Sequence, residues 1–187
     1  MRIHQIIERT RANGPGIRLC IWVQGCSKNC PGCCNPETHD YSKGEEMRTE
    51  EIVSLILKHR TEIEGVSISG GEPLDQREEL LEILRYVREE TDLSMIIWTG
   101  YTKTELVKMQ LLEELSKLVD LIIVGPYVKE LHKPEGMRGS SNQEYLFFSQ
   151  RYNEEDLGSI PNAEVIFEKG VMKITGVGAE QIRLILI

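Results

Sequence analysis

Four short, nearly continuous apolar runs, Ile17 to Val23, Val66 to Ser69, Met95 to Trp98 and Leu121 to Val124, are separated by segments with apolar residues at helical spacing. Strands buried on both faces read as unbroken apolar runs, so this alternation predicts an α/β fold with a mostly parallel sheet covered by helices. Thr49 is a suitable N-cap for a helix running to about Arg60, with Ile52, Val53, Leu55 and Ile56 as its apolar face. Leu80, Leu81, Leu84 and Val87 mark a second helix. Thr102 followed by Glu105 is a capping box opening a third, predicted to run through Leu106, Met109, Leu112 and Leu115. From about Lys129 to Asp156 the pattern dissolves into polar, glycine-containing sequence, after which Val165 to Phe167, Val171 to Ile174 and Arg183 to Ile187 suggest short strands. The 187 residues are expected to form a single domain, with a core over about 14–143 and a C-terminal extension over 144–187.

In such sheets ligands gather at the carboxyl ends of the strands. Each unusual motif falls at one: the cysteines after Val23, Gly70-Gly71-Glu72-Pro73 after Ser69, Thr99-Gly100-Tyr101 after Trp98, and Gly125-Pro126-Tyr127 after Val124. Of five cysteines, four crowd between Cys26 and Cys34, which suits a metal centre in a reducing compartment better than a disulfide framework. Cys20 stands apart and is expected in the core. A formal net charge of -8 argues against broad attraction to nucleic acid or anionic membrane, which requires clustered Lys and Arg. The N-terminal residues lack the apolar core of a signal peptide, and no run approaches the ~18 apolar residues of a membrane helix. The expected location is cytoplasmic.

Cys26, Cys30 and Cys33 place three thiolates within one eight-residue loop, close enough to wrap an iron–sulfur cubane whose irons take cysteine sulfur. Three ligands leave one iron with a free position, able to chelate the amino and carboxylate groups of a small molecule. The alternative is a structural zinc site completed by Cys34 or His39, because zinc takes four tetrahedral ligands. Zinc ligands more often come as two separated pairs, and no second pair follows downstream.

The spacing Cys-x3-Cys-x2-Cys resembles the defining motif of the radical S-adenosylmethionine superfamily. Gly14-Pro15-Gly16-Ile17-Arg18, Gln24-Gly25-Cys26 and Cys34-Asn35-Pro36-Glu37-Thr38-His39 look like the activases of glycyl-radical enzymes. Trp98-Thr99-Gly100-Tyr101 and Arg138-Gly139-Ser140-Ser141-Asn142-Gln143 are similar to segments of the anaerobic ribonucleotide reductase activating family. The resemblance runs from about Gly14 to Gln143 and departs from the superfamily at Cys34, where an aromatic residue or histidine is usual. It implies a partial (β/α)6-type barrel with the active site at the strand carboxyl ends. It also implies a 4Fe-4S cluster on Cys26, Cys30 and Cys33, and S-adenosylmethionine held with help from Gly70, Gly71, Glu72 and Thr99. Beyond the cluster ligands it implies no catalytic residue. The implied partners are a glycyl-radical enzyme, foremost an anaerobic ribonucleotide reductase, and a flavodoxin or ferredoxin electron donor.

Two other functions fit the same sequence: a radical enzyme modifying a peptide or small molecule, and a non-catalytic zinc-binding module. Simpler roles are also available to individual residues. Gly70-Gly71 can be strand-to-helix geometry, Thr99 and Tyr101 core and capping groups, and Asn142 and Gln143 partners for loop backbone. His4, His59 and His132 are expected at the surface or in hydrogen bonds, Trp22 and Trp98 in the core, and the acidic run from Glu78 to Glu90 on a solvated helix face.

Overall fold

Side-chain alternation across the central strands decides which face the helices cover. In the computed structural model, which describes residues 1–168, 170–180 and 182, the chain opens with β1 (Arg2–Thr10), β2 (Arg18–Val23) and β3 (Glu45–Glu46). Next come α1 (Thr49–His59), β4 (Gly65–Gly70), α2 (Arg77–Glu90), β5 (Ser94–Thr99), α3 (Lys103–Lys108), α4 (Leu112–Leu118) and β6 (Leu121–Val124). The last third holds β7 (His132–Glu135), β8 (Arg138–Ser140), β9 (Glu144–Phe147), α5 (Glu154–Gly158), β10 (Glu164–Glu168) and β11 (Val171–Thr175).

The main sheet has the order β3-β1-β2-β4-β5-β6-β9. Its centre, β2-β4-β5-β6, is parallel, as the apolar runs predict, but β1 joins β2 and β9 joins β6 antiparallel. The sheet is open, and antiparallel strands take the flanks where further parallel βα units would extend a barrel. β1 escaped the sequence reading because its residues Arg2, His4, Gln5, Glu8 and Arg9 interrupt the apolar pattern, as is usual for a strand not buried on both sides.

Leu19, Ile21 and Val23 of β2, Val66 and Ile68 of β4, Met95 and Ile97 of β5, and Ile122 and Val124 of β6 join the buried faces of α1 and α2 in the main core. The alternate residues face the other way, and among the described residues no long helix covers them. There Cys20 and Trp22 pack with Ile7, Cys20 being fully buried as expected, while Ile96, Leu121 and Ile123 pack with Met137 and Leu157. The segment after β6 therefore roofs the inner face of the sheet, a role its polar sequence does not announce.

Two helix ends differ from expectation. Arg48, rather than Thr49, is the N-cap of α1; its backbone N–H is accepted by Glu51 at 2.9 Å. The helix expected from Thr102 to Leu115 breaks in two. Its start is as predicted, with Thr102 and Glu105 exchanging both capping-box bonds. At Gln110 the backbone turns left-handed (φ 58°), and Leu111 N–H donates to Leu106 O at 3.0 Å. Both leucines are buried, so apolar contact and the returning hydrogen bond together stop the helix. The Arg183 to Ile187 strand expectation lies outside the described residues.

Candidate functional site

Each of the parallel strands ends toward one cleft. Cys26, Cys30 and Cys33 line it together with Gly70, Gly71, Glu72, Thr99, Gly100, Gly125 and Tyr127, so the motifs that the sequence scatters are neighbours in space. Trp22, Ser69 and Trp98, abreast on the inner face, form its floor. The cleft encloses about 1200 Å³ including its open mouth.

The cysteine loop is held from both sides. Gly71 N–H donates to Val23 O at 2.8 Å and Glu72 N–H to Gly25 O at 2.9 Å. A Cβ on Gly71 would fall on the Gly25 carbonyl oxygen, so the paired glycines are required first by the close approach of the cysteine loop. Asp75, in the 3-10 turn that follows, accepts Ser27 N–H at 2.7 Å, Ser27 Oγ at 2.8 Å and Tyr41 Oη at 2.5 Å. Lys28, between the first two cysteines, sits 3.5 Å from the centre of the Tyr101 ring and 3.1 Å from Glu105. Asp75 and Lys28 escaped the sequence reading; their signal is weak, a charged residue within or just after a motif.

Glu72 is 1% exposed. Its carboxylate accepts Gly100 N–H at 2.7 Å, Thr99 Oγ1 at 2.8 Å and Leu74 N–H at 3.0 Å. Thr99 Oγ1, which lines the cleft, donates to Glu72 and also accepts Tyr101 N–H at 3.1 Å. Asn142 and Gln143 serve loop backbone: Asn142 donates to Pro126 O at 2.8 Å, and Gln143 Oε1 accepts Gly139 N–H at 2.8 Å. His4 is 2.9 Å from Gln24 and lines the cleft, and His132 bonds Tyr127. His59 is buried between Glu8 and Glu62.

Burial raises the Glu72 carboxyl to about 7, against the pull of its three donors. Because its folded pKa lies above the ~4.3 of an unfolded glutamate, Glu72 favours the fold most below that value and loses this contribution as pH rises toward 7. In the cluster-free chain this one group is expected to lower stability by about 3 kcal/mol between pH 4 and 8, at ~1.4 kcal/mol per unit. Urea unfolding across that range should show the slope in the parent and its loss in Glu72→Gln. Equal slopes would mean that Glu72 is charged throughout.

The donor set fits an iron–sulfur cluster. All three thiols are free, half-buried and on one loop, and cubane irons take thiolate sulfur. Cys34 also lines the cleft, beside Cys33. Among the described residues no helix is long and apolar enough to cross a membrane.

Residues 12–146 match a family described as a 4Fe-4S single cluster domain. The anaerobic ribonucleoside-triphosphate reductase-activating protein of Escherichia coli (strain K12) is 33% identical over 150 residues, covering 76% of this chain and 96% of that protein. The protein of the same name from Enterobacteria phage T4 is 34% identical over 136 residues, covering 70% and 84%. The pyruvate formate-lyase-activating enzyme of Clostridium pasteurianum is 34% identical over 127 residues, covering 66% and 51%.

Proposed function

Since this chain belongs to the 4Fe-4S family of anaerobic ribonucleoside-triphosphate reductase-activating proteins, we propose that it activates a glycyl-radical enzyme, foremost an anaerobic ribonucleotide reductase. It is an iron–sulfur enzyme that uses S-adenosylmethionine. The observation that carries the reading is one cleft, at the carboxyl ends of the parallel strands, lined by the three loop cysteines and by Gly70, Gly71 and Glu72.

In this proposal Cys26, Cys30 and Cys33 hold the 4Fe-4S cluster, and Gly70, Gly71 and Glu72 receive the methionine end of S-adenosylmethionine. When bound, the pair would supply one-electron reductive cleavage of S-adenosylmethionine to methionine and a 5'-deoxyadenosyl radical, able to take a hydrogen atom from a backbone glycine of the partner. The protein's own work is positional. Asp75 and Lys28 fix the cysteine loop, Thr99 and the Gly100 N–H orient the Glu72 carboxylate, and Trp22 and Trp98 give the cleft an apolar floor that limits water. The partner's glycine loop enters through the open mouth. A flavodoxin or ferredoxin supplies the electron, and the cytoplasm supplies the reducing conditions that free thiols need. We treat residues 1–187 as one radical S-adenosylmethionine domain, its open sheet corresponding to a partial (β/α)6-type barrel.

The test is anaerobic reconstitution, iron and sulfide analysis, and electron paramagnetic resonance with and without S-adenosylmethionine, followed by addition of the partner reductase. A 4Fe-4S signal perturbed by S-adenosylmethionine, then a glycyl radical on the reductase, is the expected result. Stoichiometric zinc without iron would overturn it.

A further inference from the structure

The β10–β11 hairpin has two faces of opposite character. On one, Glu164 accepts Thr10 Oγ1 at 2.8 Å and Arg11 N–H at 2.7 Å, Thr175 Oγ1 accepts Asn13 Nδ2–H at 2.7 Å, and Ile166 packs on Ile7, Cys20 and Trp22. That face anchors the hairpin to β1 and β2. Cross-strand pairing of Val165 with Ile174 and of Phe167 with Met172 puts these four apolar side chains on the other face. Val165, Phe167 and Met172 are 40%, 77% and 45% exposed. Ile174 lines the cleft, so the strip starts at the cysteine site and runs outward to Phe167.

We infer that this strip is the docking surface for the partner that presents the glycine, seating an apolar segment next to the partner's glycine loop. The inference rests on the activase reading. The exposed face of this anchored strand pair takes no part in the contacts that hold the other face to β1 and β2, and contiguous exposed apolar surface marks an interaction site. Aromatic anchors of this kind carry much of the energy of protein interfaces. Continuity with the cleft selects the occupant. A protein placing a loop in the cleft passes over Ile174, which lines it. The hairpin also lies beyond residues 12–146, the part shared with the cluster-domain family, which suits a role in choosing the partner rather than in the common chemistry.

The test uses cluster-loaded full-length Phe167→Asp and the milder Phe167→Ala, with the anaerobic ribonucleotide reductase of the source organism as partner. Dithionite-driven cleavage of S-adenosylmethionine without partner should equal that of the parent in both. The reductase concentration giving half-maximal glycyl radical, read by electron paramagnetic resonance, should rise at least tenfold in Phe167→Asp and less in Phe167→Ala. Unchanged half-saturation in both variants would overturn the inference. So would a parent dimer that Phe167→Asp splits into monomers, which makes the strip a self-association surface. A melting temperature several degrees lower in both variants would instead place the strip beneath the chain's own residues. No glycyl radical from the parent at any reductase concentration would fail the activase reading itself, and this inference with it.

Discussion

Cys33→Ala is expected to leave the anaerobically reconstituted protein without a stable 4Fe-4S cluster and to abolish cleavage of S-adenosylmethionine, while Cys34→Ala retains both. Adjacent thiols make this the sharpest discrimination in the loop. In the metal-free chain the hydrogen bond with Cys34, and then burial, raise the Cys33 thiol well above its ordinary value. Burial likewise raises Cys26. Cluster assembly must therefore displace protons that the bare loop holds tightly, and it proceeds because metal binding to thiolate outweighs that cost. Removing Cys34 takes away the group that holds the proton on Cys33, so the ligand becomes easier to ionise. Removing Cys33 leaves two of the proposed ligands. Iron and sulfide content with 5'-deoxyadenosine release measures the outcome; a catalytically competent cluster in Cys33→Ala, rescued by Cys34, would overturn the ligand assignment.

Arg18→Met is expected to destabilise the cluster-free chain by about 3–5 kcal/mol, the scale for breaking a buried charged network by removing one member. Arg18 is 0% exposed at the amino end of β2, far along the sheet from the cleft. Its guanidinium donates to Ser67 Oγ at 2.6 Å, Val66 O at 2.8 Å, Ser94 Oγ at 2.9 Å, Ser94 O at 3.0 Å, and Pro15 O and Tyr152 Oη at 3.2 Å. One side chain thus bonds β4, β5, the Gly14-to-Ile17 turn and the segment after β9. Methionine fills much of the volume and satisfies none of these acceptors, and each buried group left unpaired costs ~1–3 kcal/mol. Urea unfolding should show a lower midpoint at unchanged slope. A change below 1 kcal/mol would mean that water or rearranged hydroxyls replace the guanidinium.

The same residue explains a motif that sequence reading could quote but not interpret. Gly14-Pro15-Gly16-Ile17-Arg18 marks a resemblance; in space it is a turn folded over Arg18. Gly14 has φ 136°, and a Cβ there would lie 2.5 Å from Arg18 Cδ. Gly71 carries a similar lesson. Its pairing with Gly70 suggested backbone opened toward a ligand, but the nearest demand on the missing side chain comes from the Gly25 carbonyl. For Thr99, residue type predicted a polar contact and position predicted the cleft, yet its partner is Glu72. The Gly71 and Thr99 contacts join residues more than 25 positions apart, a distance at which local pattern carries no information.

Sequence alone determined the four parallel strands, the first two helices between them and the crowding of four cysteines into the loop after the first of those strands. Apolar periodicity, capping residues and ligand spacing are local properties, written in consecutive residues. Tertiary structure decided what non-local packing decides: the antiparallel strands at the flanks, the break at Gln110, the roofing of the inner face by the chain after β6, and the clamp of Asp75 and Lys28 on the cysteine loop. A flanking strand and a polar roof lack the continuous apolar runs of strands buried on both faces, and their places follow from which exposed apolar surface the central strands leave to be covered.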